Sequence, residues 1–240
     1  MKLLPTNHAS LLADSNLLRI YQGWCGAFDG ITSIQISADI KAIKNKLLQL
    51  IQEPKLYYLA QEDDEHFYLN WLIYHPFDWA DWDIPLIKEF LDKADSHQHD
   101  TESICLQINK ESGIKNMVTV SHYSHIFAWN TLPEIVIESK SHAIKPLIGK
   151  ALRDDVIYRV YQPNSYKIEN MGDWSEYKLS QIKHELKRTG GVSWLDEQFD
   201  TDLRNKTATG KYRSMDLQHL PGDIVNDPGK LFRIGMHFNR

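Results

Sequence analysis

LYYLAQEDDEHFYLNWLIYHPFDWADWDIPLI, residues 56–87, is the stretch on which the reading of this chain turns. LYYLA and HFYLNWLIYH are β-prone, aromatic-rich runs, and EDDE lies between them. Two such runs around a short polar turn predict a β-hairpin. The stretch has no Lys or Arg, but it carries seven acids and nine aromatic residues. Dense negative charge and large apolar contact surface therefore coincide in one segment.

Working outward, Ser37 is a good helix N-cap. Ile40, Ile43, Leu47 and Ile51 follow it as one apolar stripe, and Pro54 ends the predicted helix. On the other side, Asp83 caps a second expected helix, with Pro85 in its first turn. SICLQI and NMVTVS alternate around KESGIK and predict a second hairpin. A helix–hairpin order thus occurs twice. EIVIES (134–139) and VIYRVYQ (156–162) read as further strands, the latter with Val156, Tyr158 and Val160 on one face. Helices are expected from Pro146 to about Arg153, and from Asp173 or Ser175 to Gly190. After Phe199 the periodicity disappears, and only LFRIGMHF (231–238) resembles a strand.

The expected fold is α+β. It has a largely antiparallel sheet built from two helix–hairpin units plus further strands, about four flanking helices, and a long irregular C-terminal segment at 200–230. Residues 1–240 read as one domain, with possible subdomains at 1–130 and 131–240.

Composition narrows the function classes. The chain has 240 residues and a formal net charge of −5. Residues 1–100 hold eight basic residues against fifteen acids, and the remainder is nearly balanced. The basic residues form no uniform stripe, which disfavours nucleic acid as a partner. No apolar run is long enough to span a membrane, and the first residues lack a secretory h-region, so the cytoplasm is the expected compartment. Cys25 and Cys105 lie in apolar neighbourhoods and read as buried thiols.

The chemistry-bearing motifs are weak ones. His97 and His99 form HxH beside Asp100 in what reads as an exposed loop, and His122 and His125 form HxxH after a strand. His184–Glu185 opens a false HExxH, because Arg188 stands where the second histidine belongs. No metal centre and no cofactor are expected. The strongest enzyme-like group is Asp216, His219, Asp223 and His237 in the tail, where a His–Asp pair would supply a general base to a hydrolase or transferase acting on a phosphate or carboxylate. The binding candidates are Glu62, Asp63, Asp64 and Glu65, together with Trp79, Trp82, Asp78, Asp81 and Asp83. Exposed Trp among carboxylates suits a basic protein partner. This favours a soluble protein-interaction module as the first reading, ahead of the tail enzyme. Carbohydrate recognition is a third reading, with Trp stacking on a sugar ring and Asp accepting its hydroxyls.

Overall fold

The computed structural model describes residues 2–35, 40–78, 97–119, 126–129, 133–147, 152–175, 177–178 and 180–182. Two sheets dominate, and the hairpin at 56–75 is the centre of the larger. Its strands are β3 (Lys55–Glu62) and β4 (His66–Asp78), antiparallel, with Tyr58 opposite Trp71 and Leu56 opposite Ile73. The second expected hairpin is β5 (His97–Asn109) with β6 (Lys115–Thr119), and β7 (Ile126–Trp129) pairs with β6. β1 (Lys2–Leu3) and β11 (Lys167–Asn170) occupy different stretches of the free edge of β3, the first antiparallel and the second parallel. The result is a 7-stranded, mostly antiparallel sheet.

The smaller sheet has four strands in the order β10-β2-β8-β9. They are β2 (Arg19–Gly23), β8 (Glu134–Ile137), β9 (Ile144–Pro146) and β10 (Tyr158–Tyr161). β2 and β8 run parallel, and the other pairs are antiparallel. One apolar cluster takes Leu56, Leu69, Trp71, Ile104 and Leu106 from the large sheet and Ile20, Ile135, Ile137 and Tyr161 from the small one. Strand alternation makes this possible, because each sheet presents every second residue to the shared layer.

The helices are α1 (Thr6–Asp14), α2 (Ile40–Leu50) and a helical stretch over 177–178 and 180–182. Three such stretches stand among the described residues, where about four were expected. The stripe of α2 is buried at Ile43, Leu47 and Ile51 as its spacing predicts. Two expectations are corrected, those for Pro146 and Cys25. Pro146 closes the strand β9 and does not open a helix: it is paired opposite Ile135, while Ile144 is opposite Ile137, so tertiary pairing overrides a helix-start signal. In β10 the buried residue is Tyr161, and Val160 faces out, because the core lies on the other phase of the alternation. Cys105 is buried, but Cys25 is exposed, since it lies two residues beyond the last residue of β2. The helix expected from Asp83 and the strand at 231–238 lie outside the described residues.

Candidate functional site

The core layer between the sheets has one polar end. The phase of β4 that enters this shared layer runs Leu69, Trp71, Ile73 and then His75. In β5 the opposing residues are Leu106, Ile104, Glu102 and Asp100, each directly across from its β4 partner. The same alternation that builds the apolar core therefore carries His75, Glu102 and Asp100 into it. All three are buried, and His75 is 0 % exposed. From the facing sheet, Gln22 follows Ile20 on the buried phase of β2.

Two loops complete the group. The 3-10 turn η1 (Ala27–Asp29) ends in Asp29, which is 2 % exposed. Its Oδ2 accepts the backbone N–H groups of Cys25 at 2.7 Å and Gly26 at 3.2 Å, and its Oδ1 accepts that of Lys140 at 2.7 Å. Lys140 lies in the turn between β8 and β9, where it has φ 69° and His142 has φ 50°. Two non-glycine residues in the left-handed region within three positions mark a strained turn, as occurs where a side chain must be aimed. Gly23 lets this turn approach β2: a Cβ there would stand 2.7 Å from the backbone nitrogen of Ser139.

The turn delivers His142, 1 % exposed, between two carboxylates. Its Nδ1 donates to Asp100 Oδ2 at 2.7 Å, and its Nε2 lies 3.4 Å from Asp29 Oδ1. The ring of His75 stacks on that of His142, with centroids 3.7 Å apart and planes 7° from parallel. His75 Nε2 meets Gln22 Oε1 at 3.0 Å, while His75 Nδ1 has no hydrogen-bond partner. Burial holds His75 well below the usual imidazole range, and the neighbouring His142 adds to this. Burial pushes the Asp29 carboxyl up, but the hydrogen bonds from His142, Lys140 and Cys25 outweigh it and the net shift is downward.

One ring nitrogen each of His75 and His142 and a carboxylate oxygen of Asp100 lie within 4.8 Å of one another. Imidazole nitrogens and carboxylate oxygens are the donor types of many metal sites, so this buried group is a candidate cation site.

No family model matches the chain, and no curated protein does. Solved structures with partial likeness do exist. Necrosis and ethylene inducing protein 2, from the causal agent of cocoa's witches' broom disease, is 10 % identical with a TM-score of 0.42, covering 88 % of this chain and 93 % of its own. A mutant of NLPPya is 12 % identical with a TM-score of 0.41, covering 78 % and 83 %. NLPPya in complex with glucosamine is 12 % identical with a TM-score of 0.40 over the same shares. A likeness of this extent decides nothing about function.

The sequence reading expected no metal-ligand set, and it missed Gln22, Asp29, His75 and His142. Asp100 adjoins the HxH motif, which the sequence alone places in a loop. The structure corrects this: His97 and His99 lie within β5, because β4 runs on to Asp78 and pairs it with His97. Backbone pairing here overrides a polar composition. The phase of the alternation was the available signal, since polar residues at 75, 100 and 102 continue the core positions of their strands.

The predicted binding residues separate. Glu62 pairs with Lys110 Nζ at 2.7 Å. Asp63 caps the hairpin turn, accepting from the backbone of Glu65 and His66 and from the Tyr68 hydroxyl. Asp64 and Glu65 are exposed. Asp78 ends β4. Trp79, Asp81, Trp82 and Asp83 lie outside the described residues, as do His122, His125, Asp216, His219, Asp223 and His237.

Proposed function

We propose that this protein is a cation-dependent binding protein for a hydroxyl-bearing ligand such as a sugar, with the buried group of His75, Asp100 and His142 as its candidate cation site. The observation that carries the reading is the convergence of these three buried ligand groups at the polar end of the core layer. A buried charged cluster is costly unless each member is paired, and a cation bound at Asp100 would lower that cost. Three protein ligands leave coordination positions open, and waters or ligand hydroxyls fill such positions in known metal sites. Asp100 is the least buried of the three, so the open side is expected there.

The acidic-aromatic segment supports the hydroxyl-bearing ligand. Asp78 is three residues beyond His75 in the same strand, and Trp79 follows it directly. In sequence, the segment whose Trp and Asp residues suit a sugar ring begins where this strand ends. The structural roles of Glu62 and Asp63 leave less free charge for a basic protein partner than the sequence suggests.

Calorimetry of the metal-free protein with zinc, manganese, calcium and magnesium salts tests the cation. At least one ion should bind, and Asp100→Asn should weaken it at least tenfold. A wild-type protein that binds none of them overturns the reading. Glycan-array binding with and without chelator tests the ligand: signals that persist unchanged in chelator would remove the cation from recognition.

A further inference from the structure

We propose that Arg159 is an oxyanion-binding residue beside the candidate cation site, so that the ligand carries a carboxylate or phosphate group. The inference rests on the hydroxyl-bearing ligand proposed above and adds that this ligand is acidic. Arg159 lies in β10, directly opposite Gln22 of β2. Side chains of residues paired in this way stand on the same face of a sheet. Gln22 is fully buried on the inner face, and its Oε1 meets His75 Nε2 at 3.0 Å. Arg159 is thus the cross-strand neighbour of a residue that touches the buried group.

Arg159 is held in place without a carboxylate. Its guanidinium carbon lies 5.1 Å from the ring centroid of Trp24 and 5.2 Å from that of Tyr161. Both rings are close enough for a cation–π attraction. Trp24 is itself tied to the start of β10, because its backbone N–H donates to Ile157 O at 2.8 Å. Nη2 of Arg159 donates to Ile51 O at 3.0 Å, which uses one of the five N–H donors of a guanidinium. Arg19 and Arg153 pair with Glu134 and Asp155, whereas among the described residues no carboxylate pairs with Arg159. A half-buried guanidinium held against aromatic rings, with donors left over, suits a carboxylate or phosphate bound through two parallel hydrogen bonds. The polar end is also divided by charge. Asp100 and Glu102 come from the large sheet and Arg159 from the small one. A ligand whose hydroxyls meet the cation can therefore place its acidic group against the guanidinium.

Proton–nitrogen spectra of arginine-labelled protein read the Nε–H groups directly, and the Arg159 signal is the one missing from Arg159→Lys. Glucose, galacturonate and glucose 6-phosphate are added in turn, in zinc or calcium salts and again in chelator. At least one of the two acids should move the Arg159 signal, and glucose should not; which acid does so names the carboxylate or the phosphate. Arg159→Lys keeps the charge but loses the fork, and should bind that acid roughly tenfold more weakly. A wild-type Arg159 signal that neither acid moves overturns the inference whether or not the variant folds. So does a variant that binds the acid as the wild type does. Ion-dependent binding of glucose with Arg159 unmoved by the acids would sink the inference and leave the cation reading standing. A shift that persists unchanged in chelator would do the reverse.

Discussion

His142 is held by three neighbours. Asp100 accepts from one of its nitrogens, Asp29 lies near the other, and His75 covers its face. Removing one partner of a buried charged group leaves the others uncompensated, which typically costs about 3–5 kcal/mol. His142→Ala should therefore destabilise the metal-free protein by about that amount in denaturant titrations. His142→Ala combined with Asp100→Asn should cost less than the sum of the two single changes, because the second change removes a charge that the first had stranded. Strict additivity would mean that the two side chains do not interact. None of this was legible in the sequence. No motif marks residues 139–145, and the positive φ angles of Lys140 and His142 appear only in the folded chain.

At the scale of elements, two fastenings join distant strands. Tyr166 donates its hydroxyl proton to Leu18 O at 2.7 Å and accepts from Leu18 N at 2.8 Å. Leu18 is fully buried, so Tyr166→Phe would leave both its backbone groups without a partner. The expected loss is about 1–3 kcal/mol, read as a lower denaturant midpoint with an unchanged slope. The second fastening is Glu169 of β11, which accepts from Lys55, Lys178 and the Trp174 indole. Burial pushes its carboxyl up, but the hydrogen bonds from Lys178, Lys55 and Trp174 bring it down to about 2 from an ordinary 4.5. The folded value lies below the unfolded one, so this contribution is fully present above pH 4.5 and is lost as the pH falls towards 2. Glu169→Gln should flatten the stability–pH curve across that window. An unchanged slope there would remove Glu169 from the acid response.

For the whole molecule, the polar end of the core layer predicts a link between stability and metal. An ion that binds only the folded chain stabilises it by about 2.7 kcal/mol at a hundredfold excess over Kd. The melting temperature should therefore rise with zinc, fall back with chelator, and respond much less in Asp100→Asn. Equal shifts in the wild type and the variant would place the ion elsewhere. Two long hairpins, the stripe of α2 and the strands at 134 and 158 were legible from the chain, because periods of 2 and 3.6 are local properties written along it. The expectations for Pro146 and Cys25 fail because each is decided by which neighbour the strand or loop meets.

The α+β class, the mainly antiparallel pairing and the alternation of side chains between the two faces of β4 and β5 are written along the chain. Tertiary structure alone decided that Gln22, Asp29, His75, Asp100 and His142 meet. The physical reason is that alternation says only that a residue faces inward. What it faces depends on the register between strands, on the packing of one sheet over the other, and on a strained turn, and these are contacts between residues far apart in the chain.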